Sequence, residues 1–136
     1  ILGPQKRNDI GKKTLVLDLD ETLVHSSFKP IDKPDIILPV DIEGNICKIY
    51  ILIRPGVQQF LHKMHKYYEL VIYTASLSKY ADPLVSMLDP GNLCSYRLFR
   101  EHCTLVNNAF VKDLTWLGRL MKNVIIVDNS PIAYMF

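Results

Sequence analysis

The stretch Lys13-Thr14-Leu15-Val16-Leu17-Asp18-Leu19-Asp20 passes from a polar start through consecutive aliphatic residues to a pair of carboxylates. An uninterrupted apolar run of this kind is how a strand buried on both faces of a parallel sheet reads. Its carboxyl end then carries Asp18 and Asp20. Glu69-Leu70-Val71-Ile72-Tyr73 and Asn123-Val124-Ile125-Ile126-Val127 repeat the pattern, and they end on Thr74 and on Asp128-Asn129. Before the second run, Val57, Phe60, Leu61 and Met64 recur at helical spacing behind Pro55, a suitable first helical residue, with Lys63, His65 and Lys66 near the far end. Strand, helix and strand in that order build parallel sheets. The predicted fold class is therefore α/β, a Rossmann-like parallel sheet flanked by helices.

Outward from this frame, Asp35 to Val40 and Ile46 to Ile53 are rich in isoleucine and valine and flank Glu43-Gly44-Asn45, a hairpin turn signal. They predict a small antiparallel insertion over residues 35–53. Leu84, Val85 and Leu88 predict a second helix, which starts either with Asp82 as cap and Pro83 as first residue or earlier with Pro83 as a kink. Tyr96 to Phe99 reads as a short strand and Leu114 to Met121 as a helix. The first 12 residues are polar, contain Gly3, Pro4 and Gly11, and read as a leader. With no internal repeat or low-complexity tract, a single domain over residues 1–136 is expected.

Composition narrows the function classes. At 136 residues the chain can bury an apolar core without disulfides or a structural metal, and its 49% hydrophobic and 22% charged content is ordinary for a globular protein. A net charge of +2, from 16 basic and 14 acidic residues, gives no field that would draw nucleic acid or an anionic membrane. Cys47, Cys94 and Cys103 form no C-x-x-C pair, which argues against a disulfide framework and a structural zinc site and points to a reducing compartment, nucleus or cytoplasm. No apolar run approaches the ~18 residues of a membrane span, and no signal peptide is evident. Because the chain opens on Ile1, it is expected to be a domain excised from a longer one.

Open parallel sheets bind ligands at the carboxyl ends of their strands, and here such ends carry Asp18 and Asp20, Thr74, and Asp128 with Asn129. Taken singly, Asp18-Leu19-Asp20 is equally a turn or helix cap, Thr74 a capping hydroxyl, and Lys112 a solvated surface residue. Taken together, they bring carboxylates into one crevice, where they repel one another unless a cation sits among them. Oxygen-only ligands suit magnesium, which takes one or two carboxylates plus substrate phosphate.

The run Asp18-Leu19-Asp20-Glu21-Thr22-Leu23-Val24-His25 resembles the D-x-D-x-T signature of the haloacid dehalogenase superfamily, in the form used by phosphatases of the RNA polymerase II C-terminal domain. Tyr73-Thr74-Ala75-Ser76, Val111-Lys112-Asp113-Leu114 and Val127-Asp128-Asn129-Ser130-Pro131 are similar to its later motifs. Ser26-Ser27-Phe28-Lys29-Pro30 and Lys79-Tyr80-Ala81-Asp82-Pro83 resemble the small C-terminal-domain phosphatases in particular. The resemblance implies Asp18 as nucleophile and Asp20 as general acid and base; Glu21, on the other side of an extended chain, is expected to point away. It further implies Thr74 and Lys112 on the phosphoryl oxygens. Magnesium would be held by the Asp18 carboxylate, the Asp20 carbonyl and Asn129, with Asp128 orienting Lys112 or a metal water.

By the same resemblance the hairpin insertion is a cap over the site. Phe28, Val40, Ile42, Ile49 and Leu77 match positions lining an apolar pocket for a substrate proline, and Tyr80 and Arg100 match peptide contacts. For the five apolar residues the competing reading is plain core packing. The implied function is a magnesium-dependent protein-serine phosphatase acting on Ser-Pro segments such as the polymerase tail. Alternatives are a dullard-like phosphatase of another phosphoserine protein, to which Glu101-His102-Cys103-Thr104-Leu105 is nearer, and a non-catalytic interaction module of the same fold. A small-molecule phosphatase is disfavoured because the stretch between Asp20 and Thr74 is too short and strand-like for a helical cap. The family usually continues by a further strand and helix past the Asn-Ser-Pro motif, so a longer native product is expected.

Overall fold

The computed structural model describes residues 1–130; Pro131, the end of the last motif, and the residues after it lie outside the described ones. Its central sheet is parallel, in the order β6-β5-β1-β9, from β1 (Lys13–Leu17), β5 (Tyr68–Tyr73), β6 (Tyr96–Leu98) and β9 (Val124–Val127). Leu15 pairs with Leu70 on one side and with Ile125 on the other. The apolar runs read from the sequence are thus the sheet itself, and β1 is its fully paired centre.

Side chains alternate across this sheet. Leu15, Leu17, Leu70 and Ile72 face one core, closed by α1 (Val57–Met64) through Val57 and Leu61 and by α2 (Ser78–Leu88) through Ala81, Leu84, Val85 and Leu88. Val16, Val71, Tyr73 and Leu98 face the other, closed by Leu114 and Leu117. The insertion is a three-stranded antiparallel sheet ordered β2-β4-β3, from β2 (Val24–Ser27), β3 (Ile36–Ile42) and β4 (Asn45–Ile53). Its turn at Glu43-Gly44 holds both residues at positive φ, 52° and 84°, the two-residue geometry that matches strand twist. Leu38, Val40, Ile49 and Ile51 point down into the first core, so the insertion and the parallel sheet share one hydrophobic interior.

Two local readings are resolved or corrected. The second helix starts early, at Ser78, and carries Pro83 inside it. The helix expected over Leu114 to Met121 is absent; two 3-10 turns, Leu114–Trp116 and Met121–Asn123, stand there instead. Gly118 between them adopts φ 89°, and the Leu117 carbonyl that would continue a helix accepts from the Leu2 N–H at 2.9 Å. Arg119 then turns inward. It forms a two-pronged pair with the fully buried Glu69, 2.9 Å from Nε to Oε1 and 2.8 Å from Nη2 to Oε2, and also donates to the Gly3 carbonyl. Thr14 completes the shell, its hydroxyl 2.7 Å from Glu69.

The opening residues, read as a leader, are tied to the sheet through these contacts and others. Tyr96 donates to the Pro4 carbonyl, Lys6 to that of Ser95, and Ser95 to the Asp9 carboxylate. Two further strands, β7 (Thr104–Val106) and β8 (Ala109–Val111), make a short hairpin that delivers Lys112. Among the described residues no helix is long and apolar enough to cross a membrane.

Burial would raise Glu69, but the hydrogen bonds from Arg119 and Thr14 outweigh it and hold the carboxyl below its ordinary 4.5. A depressed carboxylate stabilises the fold above the unfolded-state value and loses that contribution as pH falls through the folded-state value. Glu69→Gln is expected to cost about 3–5 kcal/mol at pH 7, the range for breaking a buried pair, with a deficit that narrows below pH 4.5. Urea melts of both proteins from pH 7 down to ~3 check this; a pH-independent deficit would assign the loss to packing alone.

Candidate active site

Every parallel strand releases a candidate site residue at the same end. Asp18 follows β1, and its N–H donates to the Val127 carbonyl at 3.0 Å; Thr74 follows β5, and its N–H donates to the Leu98 carbonyl at 2.9 Å. Asp128 follows β9 and Arg100 comes shortly after β6. A cavity of about 390 Å³ opens there, lined by Asp18, Asp20, Thr74, Ser76, Arg100, Phe110, Lys112, Asp128, Asn129 and their neighbours. All six residues that the sequence assigns to phosphate and metal chemistry meet in it.

Lys112 lies at its floor. The side chain is 3% exposed, and its ammonium is 2.9 Å from Asp18 Oδ1 and hydrogen-bonded to Asp128, itself 1% exposed. A buried lysine is tolerated only when paired, and here it is paired twice. Thr22 donates to the other Asp18 oxygen at 3.3 Å. Burial pushes the Asp18 carboxyl above the ordinary carboxylate range; the Lys112 ammonium pulls it back only in part, and Asp128 adds repulsion. Two buried carboxylates share one ammonium.

The donors in this cavity fit a hard cation. Asp18, Asp20 and Asp128 contribute carboxylate oxygens and Asn129 a carboxamide, with no sulfur or imidazole facing the same space. Among the described residues no three His, Cys, Asp or Glu side chains converge as a metal cluster, so the fit rests on a small number of carboxylates supplemented by amide and main-chain oxygens. That number suits magnesium, which retains waters. The excess negative charge around Lys112 is what such an ion would balance.

A second cavity of about 310 Å³ adjoins the first and is lined by Phe28, Val40, Ile42, Ile49, Leu77, Tyr80 and Arg100 together with Asp20, Ser26, Ser27, Ser76 and Lys79. The structure thus brings together all seven residues that the resemblance places in a peptide pocket. They divide into two kinds. Val40 and Ile49 are buried in the shared core, whereas Phe28 at 65% exposure and Leu77 at 47% stand on the rim with little to pack against. Core packing explains the first pair; it does not explain the second.

Asp20, Ser76 and Arg100 line both cavities. The Asp20 carboxylate accepts from Ser76 Oγ at 2.5 Å, from the Tyr80 hydroxyl at 2.8 Å and from Ser26 Oγ at 3.4 Å. Burial pushes the Tyr80 phenol above its ordinary value, so it remains a donor. Arg100 donates from Nε to the Ala75 carbonyl at 2.6 Å, and its guanidinium stacks on the Phe110 ring at 4.6 Å. Glu21 turns away to solvent, where it pairs with His25 at 2.6 Å. Sequence reasoning gave no role to Thr22, Ser26, Ser76 or Phe110. Thr22, Ser26 and Ser76 sit inside quoted motifs, but which carboxylate a hydroxyl reaches depends on chain geometry that spacing does not carry.

Residues 13–136 match the family described as NLI interacting factor-like phosphatase. The chain belongs to that family. Among curated relatives, a "Probable C-terminal domain small phosphatase" of Dictyostelium discoideum is 54% identical over 136 residues, covering 100% of this chain and 44% of the relative. The human "CTD small phosphatase-like protein" is 55% identical over 128 residues, covering 94% of this chain and 46% of the relative. The chain therefore spans less than half the length of these relatives. Among solved structures, that of Fcp1, titled an essential RNA polymerase II CTD phosphatase, superposes with a TM-score of 0.77 at 26% identity, covering 90% of this chain and 39% of that one. The haloacid dehalogenase-like fold expected from the sequence is that of this family.

A carboxylate whose value is raised by folding costs stability as pH rises above its unfolded-state value, in full once pH exceeds the raised folded-state value, and costs nothing well below both. Asp18→Asn is thus expected to melt no lower than the parent at pH 7 in chelator, with the two curves converging as pH falls toward ~4. Thermal melts across this range check it. A variant melting several degrees below the parent at pH 7 would show that the Lys112 contact outweighs the burial.

Proposed function

We propose that this domain is a magnesium-dependent protein-serine phosphatase that works through an aspartyl-phosphate on Asp18, taking phosphoserine next to proline, as in the RNA polymerase II C-terminal domain. One observation carries the reading: Asp18 and Lys112 lie in a cavity lined mainly by polar and charged residues, and Asp20 stands between that cavity and a neighbouring one walled by apolar side chains. The names of the relatives, C-terminal-domain phosphatases, agree with it.

In the proposed reaction an Asp18 oxygen forms a bond to phosphorus as the bond from phosphorus to the serine oxygen breaks. Asp20 gives its proton to the departing oxygen. Water then attacks the aspartyl-phosphate, Asp20 takes a proton from it, and inorganic phosphate leaves with Asp18 restored. Splitting one displacement into two with a poised acid and base is the contribution of covalent and general acid–base catalysis. Thr74 and Lys112 neutralise the transferring oxygens, which is most of what phosphoryl transfer asks of a protein. Magnesium, held by the Asp18 carboxylate, the Asp20 carbonyl and Asn129 with Asp128 alongside, would offset charge between an anionic nucleophile and an anionic substrate. Asp18→Asn should abolish turnover although its fold persists.

The partner is a phosphorylated protein segment with Ser-Pro steps. A proline ring is compact, apolar and fixed in φ, so an extended segment docks it at little ordering cost. The free thiols of Cys47, Cys94 and Cys103 support a reducing location, nucleus or cytoplasm.

Chelator is expected to stop phosphopeptide turnover and added magnesium to restore it, while calcium restores it poorly because its larger, looser shell does not hold nucleophile and phosphate in line. Undiminished turnover in chelator, followed by phosphate release, would remove the metal and with it the role of Asn129.

Phe28→Ala and Leu77→Ala should each weaken kcat/KM for a Ser-Pro phosphopeptide by about 1–3 kcal/mol, the scale of burying one such side chain, and weaken p-nitrophenyl phosphate hydrolysis several-fold less. Side-by-side kinetics on the two substrates decide the matter. Equal losses on both would reduce these residues to packing, and no loss on the peptide would remove the proline pocket.

A further inference from the structure

Tyr80 was expected to touch the peptide, yet its hydroxyl is already engaged. It donates to Asp20 Oδ1 at 2.8 Å, while Ser76 donates to Asp20 Oδ2 at 2.5 Å. The two donors therefore hold different oxygens of one carboxyl group. The terminal torsion of an aspartate is broad and weakly preferred on its own, so a carboxyl held at a single oxygen swings, whereas one held at both does not. Holding a reacting group in a single orientation is itself a large part of catalysis.

Both anchors come from one rigid connection. Ser76 follows Thr74 at the end of β5; its N–H donates to Thr74 Oγ1 at 3.0 Å, and its carbonyl accepts from the Arg100 N–H at 3.0 Å. Tyr80 stands in the first turn of α2, where its N–H donates to the Leu77 carbonyl at 3.1 Å. The segment that places Thr74 against the phosphate thus also sets the angle of Asp20. The Tyr80 ring meanwhile forms part of the apolar cavity wall beside Leu77.

We propose that Ser76 and Tyr80 are positioning residues that hold the Asp20 carboxyl at the junction of the two cavities, aimed at the leaving-group oxygen. The inference rests on the reading of Asp20 as proton donor and adds to it a selectivity. Departure of a serine alkoxide requires protonation, whereas p-nitrophenolate departs with little help. An enzyme with a fixed donor handles alkyl phosphates; one whose donor swings keeps mainly the activated aryl esters. The two hydroxyls accordingly favour phosphoserine as a substrate class over aryl phosphates, independently of any peptide contact.

The test measures kcat/KM, which ends at departure of the leaving group and is blind to the later hydrolysis of the aspartyl-phosphate. Tyr80→Phe, Ser76→Ala and Asp20→Asn are compared with the parent on p-nitrophenyl phosphate, phenyl phosphate, O-phosphoserine and a Ser-Pro phosphopeptide. For Tyr80→Phe and Ser76→Ala the loss is expected to grow with leaving-group pKa, and to be about tenfold or more greater on O-phosphoserine than on p-nitrophenyl phosphate, within the 10²–10⁴ that general acid catalysis supplies. Adding Tyr80→Phe to Asp20→Asn should steepen nothing further, because residues acting as a unit are not additive.

Equal losses along the series in both single variants would make the hydroxyls structural and overturn the proposal, as would a steepening that adds in the double variant. A loss confined to the phosphopeptide, with O-phosphoserine following p-nitrophenyl phosphate, would leave Tyr80 as a pocket wall only and overturn it too. If Asp20→Asn is steep while the hydroxyl variants are flat, this inference alone falls. If Asp20→Asn is itself flat, the proton-donor reading falls and takes the inference with it. Ser76→Ala keeps the question decidable should Tyr80→Phe fold poorly, because it removes one donor and leaves the aromatic wall intact.

Discussion

The ammonium of Lys112, enclosed between the carboxylates of Asp18 and Asp128, is the contact on which the arrangement of the site depends. A buried ion pair has to recover the desolvation of each partner, and one cation shared by two anions recovers it incompletely. Asp18 remains raised above the ordinary carboxylate range in consequence. The imbalance has a chemical use. On the proposed reading, a nucleophile held in a partly buried, electronegative site is one that an added cation and an incoming phosphoryl group would organise strongly, because charges interact more strongly where water is excluded.

The opposite end of the same sheet shows the contrasting solution. Glu69, near the amino end of β5, is fully buried, yet a guanidinium grips both its oxygens and a threonine hydroxyl adds a further bond. Its carboxyl is held below the ordinary value, while Asp18 at the carboxyl end is pushed above it. The domain therefore keeps a fully compensated charge where the strands enter and a partly compensated one where they leave. Excess negative charge is concentrated where chemistry is expected, and the well-paired carboxylate lies a strand's length away.

How far this was legible in the sequence follows from which interactions are local. The runs ending at Asp18 and Thr74 announce their strands because burial on both faces demands unbroken aliphatic residues; the run ending at Asp128 reads the same way, yet among the described residues it is the outer strand of the sheet and leaves Ile125 and Val127 exposed. Strand ends in a parallel sheet necessarily gather at one edge. The hairpin around Glu43-Gly44 is equally local. The helix expected over Leu114 to Met121 failed because its apolar spacing is real but its continuation is overruled at a distance: Leu2 takes the Leu117 carbonyl, and Glu69 draws Arg119 inward. Neither partner lies within a helix's reach in sequence. The opening residues looked like a polar leader for the same reason, since Gly3, Pro4, Lys6 and Asp9 engage through backbone oxygens and side-chain tips that leave no hydrophobic signature.

Motif reading named the groups expected to react but not the hydroxyls that reach Asp20. Asp18, Asp20 and Lys112 stand out because their charges are costly to bury and need a reason. Ser76 and Tyr80 cost nothing in either place, so only the fold reveals that both converge on Asp20. The convergence changes how the two cavities relate. A pocket that merely binds contributes equally before and during reaction, whereas interactions that align the reacting groups act on the barrier itself. The wall of the apolar cavity includes Tyr80, whose hydroxyl donates to Asp20, so on the proposed reading a side chain seated there would meet the residue that anchors the acid. In the proposed mechanism recognition and proton transfer are thereby joined through one phenol, and the insertion that forms the far wall through Val40, Ile42 and Ile49 would have a route to the chemistry that does not touch the phosphate.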